Sequence, residues 1–313
     1  MAKYLITGGC GFIGSHIAEA LKEQKHTVII YDNLSSGYEH NIAGFRDKIT
    51  FIKADIRDMK ALTTAMQGVD YVFHKAAMVS VFDSVERPIE NHDINITGTL
   101  NVLNAAKESG VKRVVAASSA SVYGNDPVLP KTEDMIPSPK SPYALAKIAM
   151  EYYMRIFAEL YGLETVVFRY FNVYGPRQDP GSIYSGVISR FIDDILTGRR
   201  PTVFGDGLQT RDFIFIQDVV EANFLAMSNQ TLGRGEVFNI ATGHPTSLLE
   251  LLDILKDLTG KDVKSRFKDV RRGDIRHSVA DISRARHELD FTPHYGVRGG
   301  LMKLLNIGPQ RLP

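Results

Sequence analysis

The stretch that most constrains the fold lies between residues 3 and 32. Lys3 to Thr7 is a short apolar run, Gly8-Gly9-Cys10-Gly11-Phe12-Ile13-Gly14 follows, and Ser15 to Glu23 is amphipathic at helical spacing. The order is strand, glycine turn, helix. Glycines at 8, 11 and 14 suit three steric demands: a tight turn, close approach of backbone to a pyrophosphate, and close packing of helix on strand. The amides that open the helix then face the phosphates. The next apolar run, Thr27 to Tyr31, ends in Asp32, at the distance where a carboxylate takes the adenosine ribose hydroxyls. The same charge repels the extra phosphate of NADP, and Asn33, Ser35 and Ser36 are neutral, so the pattern points to NAD. Cys10, inside the loop, reads as a small filler.

Further short runs rich in branched residues follow at Thr50 to Ala54, Tyr71 to His74, Arg113 to Ala117 and Thr165 to Arg169. Helical patterns separate them at Met59 to Gln67, Asn91 to Ser109 and Tyr143 to Tyr161. Such alternation predicts an α/β fold, a doubly wound parallel sheet with helices on both faces and ligands at the carboxyl ends of the strands. Those ends carry Asp55 and Ile56, Ala76 and Ala77, and Ser118 with Ser119. Small residues at 76 and 77 let a cofactor approach the backbone. Asp55 has two readings, a partner for the adenine amine or a cap for the following helix. After Arg169 the rhythm changes: Asn172 to Gly181 is turn-rich and no regular strand-helix alternation resumes. A smaller C-terminal α/β substrate lobe is expected from there. The division is 1–172, with 213–239 returning to it, against 173–212 and 240–313.

Ser141-Pro142-Tyr143-Ala144-Leu145-Ala146-Lys147 reads as a helix start, with Ser141 as N-cap and Pro142 at the first helical position. Tyr143 and Lys147, four apart, share one face. They can form a base, but lowering a tyrosine from about 10 to about 7 needs roughly 4 kcal/mol of preference for phenolate. Burial opposes this, so nearby positive charge must supply it.

A net charge of +1 over 313 residues gives no reason to expect nucleic acid or an anionic membrane as partner. No apolar run is long enough to span a bilayer, and the cytoplasm is the expected compartment. One cysteine and nine scattered histidines suggest no metal site. Apolar residues cover a wide arc on Asn95 to Ala106 and Tyr143 to Tyr161, which suits a homodimer through a four-helix bundle, or simple burial under the C-terminal region.

The glycine loop, Ser118-Ser119-Ala120-Ser121-Val122-Tyr123-Gly124, the Tyr143/Lys147 pair and Arg169-Tyr170-Phe171-Asn172 occur in an order that resembles the extended short-chain dehydrogenase/reductases. Among these the chain looks like the UDP-hexose 4-epimerases, from Met1 to about Asp281. The resemblance implies a Rossmann domain holding NAD and a smaller lobe for a UDP-sugar. Ser119 would bond the sugar's 4-oxygen, Tyr143 would be the base, and Lys147 would bind the nicotinamide ribose and stabilise phenolate. Gly8, Gly11, Phe12, Ile13, Gly14, Asp32, Asn33, Ser36, Asp55, Ile56, Ala76, Ala77 and Asn95 would line the cofactor. Ser80, Ser121, Asn172, Arg211 and Arg271 would meet the substrate, arginine because its fork matches phosphate oxygens. Outside the resemblance, each arginine also reads as a structural ion pair. Asp274 would contact the uridine ribose or form a local turn.

Departures from neighbouring families bear on the reaction. The 4,6-dehydratases resemble this chain but carry an acid pair where Ala120 and Ser121 stand, and the UDP-glucuronate decarboxylases carry a glutamate at the position of Ser121. Without those acids, epimerisation is expected. The alternatives are a decarboxylase or dehydratase, and a non-catalytic NAD-sensing protein of the same fold. Ser278 stands where epimerases restricted to plain hexoses often have a tyrosine, so N-acetylated sugars are expected to fit.

Overall fold

A computed structural model describes residues 1–179, 186–270 and 275–307. Strands β1 (Lys3–Thr7), β2 (Thr27–Asp32), β3 (Thr50–Lys53), β4 (Tyr71–His74), β5 (Arg113–Ser119) and β6 (Glu164–Tyr170) fall on the expected runs. They are followed by β7 (Asn172–Tyr174), β8 (Thr202–Phe204), β9 (Thr210–Phe215), β10 (Arg234–Ile240), β11 (Pro245–Ser247) and β12 (Arg266–Lys268). A seven-stranded sheet runs β10-β6-β5-β4-β1-β2-β3, with every pairing parallel. The chain winds from β1 outward to β3 and then, from β4, the other way. The order therefore reverses between β1 and β4, which opens a crevice at their carboxyl ends.

Both faces of this sheet are buried, which is why its strands are apolar at consecutive positions. Ile6, Ile30, Phe73, Val115 and Phe168 pack with α1 (Phe12–Glu23) and, further along the chain, with Val219, Ala222 and Ala226 of the helix Ile216–Ser228. Leu5, Ile29, Val72, Val114 and Val167 face the other way, onto α2 (Met59–Ala65) and two longer helices. The period-2 alternation splits each strand between two cores.

The expected helix over 91–109 is longer and interrupted. α3 (Val81–Glu86) and α4 (Pro88–His92) precede it, Asp93–Thr97 forms a π-turn, and α5 (Gly98–Glu108) completes it. Its apolar arc is spent internally: Val102, Leu103, Ala105 and Ala106 are buried against the sheet. The exposed apolar residues lie instead on α3 and α4, at Val81, Phe82, Val85 and Ile89, and on α6 (Pro142–Tyr161), at Leu145, Tyr152, Ile156 and Leu160.

Beyond β6 one helix has no counterpart among the expected elements. α7 (Val187–Leu196) buries Ile188, Phe191 and Ile195, a helical spacing within a segment that reads as turn-rich at its start. α8 (Ile216–Ser228) and α9 (Leu248–Thr259) follow, the latter opened by a capping box of Ser247 and Glu250. Two small sheets, β11-β9-β7 and β12-β8, lie outside the large one.

Candidate active site

The dinucleotide side is built from backbone. A Cβ on Gly14 would meet the Gly8 carbonyl oxygen at 2.2 Å, and one on Gly8, at φ +69°, would meet the Ala76 nitrogen at 2.6 Å. Gly11, the N-cap of α1, has no side-chain cap. The first-turn amides of Phe12 and Ile13 consequently have no acceptor within the helix and are free for phosphate. These features fit a dinucleotide pyrophosphate.

Asp32 is buried and accepts the Cys10 amide at 2.9 Å and the Leu34 amide at 2.8 Å, which leaves lone pairs for ribose hydroxyls. Burial raises its pKa, and the two amides act in the opposite direction. Asn33 binds Asp55 through its amide at 2.8 Å, and Ser36 is exposed. Asp55 is more committed than its sequence position suggests. Arg57 donates its Nε, Nη2 and backbone amide to it, which with Asn33 makes four bonds and holds the carboxyl down at about 2. An adenine amine there competes with Arg57. The capping reading of Asp55 is not met, because Asp58 caps α2.

Ile56 is buried, and Ala76 takes its place at the end of β4 with its amide on the Thr7 hydroxyl at 3.3 Å; Ala77 follows in the same loop. Asn95, in the π-turn, clamps this loop: it accepts the Met78 amide at 2.8 Å and donates to the Met78 carbonyl at 2.9 Å and to Asn91 at 2.8 Å. Both of its amide protons are used within the chain. Ser80 caps α3 by accepting the Asp83 amide.

Ser119, Tyr143 and Lys147 are brought together. Ser141 caps α6 by accepting the Ala144 amide, with Pro142 in the first turn, as the sequence predicts. Tyr143 and Lys147 are both buried, and the Lys147 ammonium lies 5.6 Å from the Tyr143 ring centroid, bonded to the Ala117 carbonyl at 2.7 Å. Ser119 ends β5 and accepts the Ser121 amide at 3.2 Å. These residues do not by themselves bring the tyrosine down: burial holds Tyr143 above its ordinary value, and Ser119 offsets this only in part. Burial also pushes the Lys147 ammonium down to about 8, while the charge of Glu151 works to raise it. Ser121 carries a buried hydroxyl with no hydrogen-bond partner among the described residues.

The residues expected to meet a sugar nucleotide come largely from short strands. Asn172 opens β7 and is exposed; Arg211, in β9, bonds the Thr210 carbonyl at 2.8 Å. Ser278 runs beside β9, its amide on the Thr210 carbonyl at 3.2 Å. Arg271 and Asp274 lie outside the described residues.

Residues 4–241 match the NAD dependent epimerase/dehydratase family. The chain belongs to that family. It is 40% identical to the UDP-glucose 4-epimerase of Mycolicibacterium smegmatis over 97% of each chain. Among solved structures it superposes on the UDP-N-acetylglucosamine 4-epimerase of Methanobrevibacter ruminantium with a TM-score of 0.93, at 39% identity over 98% of this chain and 97% of that one. It superposes on the UDP-glucose 4-epimerase of Thermus thermophilus, in complex with NAD, with a TM-score of 0.89, at 34% identity over 99% and 100%. The enzyme is an NAD-dependent epimerase of the extended short-chain dehydrogenase/reductase type.

Several residues of this epimerase site escaped the sequence reading. His74 is buried and bridges the hydroxyls of Thr7, at 2.7 Å, and Thr99, at 3.0 Å; burial pushes it down to about 3, so it is neutral. Lys75 is held against Tyr170 at 3.2 Å, its pKa driven well below the usual lysine range by burial. Glu151 forms a buried ion pair with Arg169 at 2.7 Å. Only its spacing, four residues past Lys147, signals it in the sequence.

Proposed function

We propose that the enzyme inverts the C4 hydroxyl of a UDP-hexose through a transient 4-keto sugar, acting on UDP-glucose and UDP-galactose and on their N-acetylated counterparts. The carrying observation is the cluster of half-buried Ser119 with buried Tyr143 and Lys147 at the crevice, with Ala120 and Ser121 where a dehydratase would need acids. As phenolate, Tyr143 removes the proton from the 4-oxygen and returns it to the same oxygen at the end of the cycle. Ser119 orients that oxygen by a hydrogen bond. Lys147, charged, favours the phenolate. When bound, NAD supplies a hydride acceptor that becomes a hydride donor, and in its oxidised form a positive charge that also favours phenolate. Gly8, Gly11, Phe12, Ile13, Gly14 and Asp32 hold it. The unpartnered hydroxyl of Ser121 is suited to a substrate oxygen.

Inversion needs the keto sugar to turn over while its nucleotide stays fixed. We assign that anchoring to Asn172, Arg211 and Arg271. The division into a lobe of 1–172 with 213–239 and a lobe of 173–212 with 240–313 belongs to the same reading, and β10 pairing with β6 supports it. A cytoplasmic setting is part of the same proposal. No helix among the described residues is long and apolar enough to cross a membrane. A second copy of the chain covering the exposed apolar face of α3, α4 and α6 would give a homodimer. Sedimentation of a Leu160→Glu variant as a monomer, beside a dimeric parent, checks it.

The test of the main reading is to offer the purified protein each UDP-hexose, with and without added NAD, and to resolve the products by proton NMR. Interconversion at C4 is expected for both sugar pairs. Conversion of neither refutes the reading.

A further inference from the structure

We propose that the buried Glu151–Arg169 pair is a positioning device for the catalytic cluster, holding the strand end that carries Ser119 and setting the charge on Lys147 from beneath. The inference rests on the reading that Lys147 acts as a cation beside Tyr143.

Glu151 lies one turn beyond Lys147 on α6, and its carboxylate is enclosed. One oxygen accepts the Ser118 hydroxyl at 2.5 Å and Arg169 Nε at 3.0 Å; the other accepts Arg169 Nη2 at 2.7 Å. The remaining guanidinium nitrogen, Nη1, donates to the Tyr123 hydroxyl at 3.0 Å and to the Glu133 carbonyl at 3.2 Å. Tyr123 in turn donates to Asn239, at the end of β10, at 2.5 Å. Members of this network bracket Ser119 on both sides: Ser118 precedes it in β5, and Tyr123 closes the short 3-10 turn that Ser119 caps.

A pair buried this deeply is seldom retained for stability, since packed apolar residues in its place are often as good or better. Its charges do have a use. The ionisable groups around Lys147 are Tyr143 and Glu151 on its own helix, His74 and Lys75 at the end of β4, and Arg169 on β6 behind Glu151. His74 is neutral, and the charge of Lys147 lowers the affinity of the Lys75 amine for a proton. Glu151 supplies the opposing negative charge, and burial works against it.

The experiment follows the ε-methylene signal of Lys147 by carbon NMR against pH in lysine-labelled full-length protein, assigned by its loss in Lys147→Arg. Glu151→Gln should move the midpoint down by about one pH unit and Arg169→Met should move it up, because the two remove charges of opposite sign. The double variant Glu151→Gln/Arg169→Met should return it toward the parent. If either single variant does not fold, the other and the double still give the sign. A merely structural pair would shift both singles the same way or not at all, and either result overturns the proposal. The alkaline limb of kcat should follow the same midpoints. Because the titration needs no turnover, a parent protein inactive on every UDP-hexose would refute the functional reading and leave the role of the pair to be decided by the NMR.

Discussion

The dinucleotide side of the crevice and the sugar side are built in different ways. The first is backbone pressed against backbone: Gly8, Gly11 and Gly14 at contact distance, Asp32 buried and bonded to two amides, Asn95 clamping the loop after β4. The second is side chains on strands of three to six residues, with Asn172 exposed and Ser278 on a segment joined to β9 by an isolated bridge at His277. A shape made by backbone tolerates almost no substitution. One made by side chains can change its ligand while the fold stands.

Four substitutions and a pH profile can break or sharpen this contrast. The largest effect belongs to the chemistry both sides share: Tyr143→Phe should lower kcat by about 100- to 10,000-fold without lowering Tm, measured by NMR of the sugar products and by thermal melts. Next comes the backbone side. Gly14→Ala forces a Cβ to within 2.2 Å of the Gly8 oxygen, so it should cost about 1–3 kcal/mol of stability and abolish NAD retention together, read by denaturant unfolding and by absorbance of released cofactor. If Gly14→Ala keeps both, the contrast fails. On the sugar side, Arg211→Lys should raise KM by roughly 10- to 100-fold with Tm and NAD retention unchanged, since a bidentate charge-assisted contact becomes a single one. Ser278→Tyr should separate the substrates, lowering kcat/KM for the N-acetylated pair by about 10- to 200-fold and sparing the plain hexoses. A Ser278→Tyr enzyme with full activity on acetylated sugars would sink the size argument. The smallest effect is in pH. Lys147 loses its charge as pH rises through about 8, so kcat should fall above that value as phenolate loses its stabiliser, and a profile flat to pH 10 would contradict this assignment.

Much of the backbone side was legible in the residues. Glycine spacing, the acid at the end of β2 and consecutive apolar positions are local signals, and each maps onto one steric or hydrophobic requirement. The start of α6 was legible for the same reason, since Ser141 and Pro142 act within one turn. Elements whose signal is short or mixed were not. α7 follows a turn-rich stretch, and the π-turn at Asp93–Thr97 leaves no mark in composition. The wide apolar arc of residues 95–106 was visible, but not its destination: α5 buries it against the sheet, and the exposed apolar face falls to α3, α4 and α6.

By itself the sequence determined the doubly wound parallel architecture and a glycine turn suited to NAD, and it put forward Ser119, Tyr143 and Lys147 as candidates. These follow from periodicity, glycine sterics and residues close together in the chain or carried in recognisable motifs. Only the tertiary structure decided that Asn95 clamps Met78 and that Arg169 stands behind Glu151 and Lys147. The physical reason is distance along the chain. A pair such as Ser118 with Glu151, or Tyr123 with Asn239, joins residues 33 and 116 positions apart, and which partners meet is fixed by packing of the sheet and its helices rather than by any local pattern.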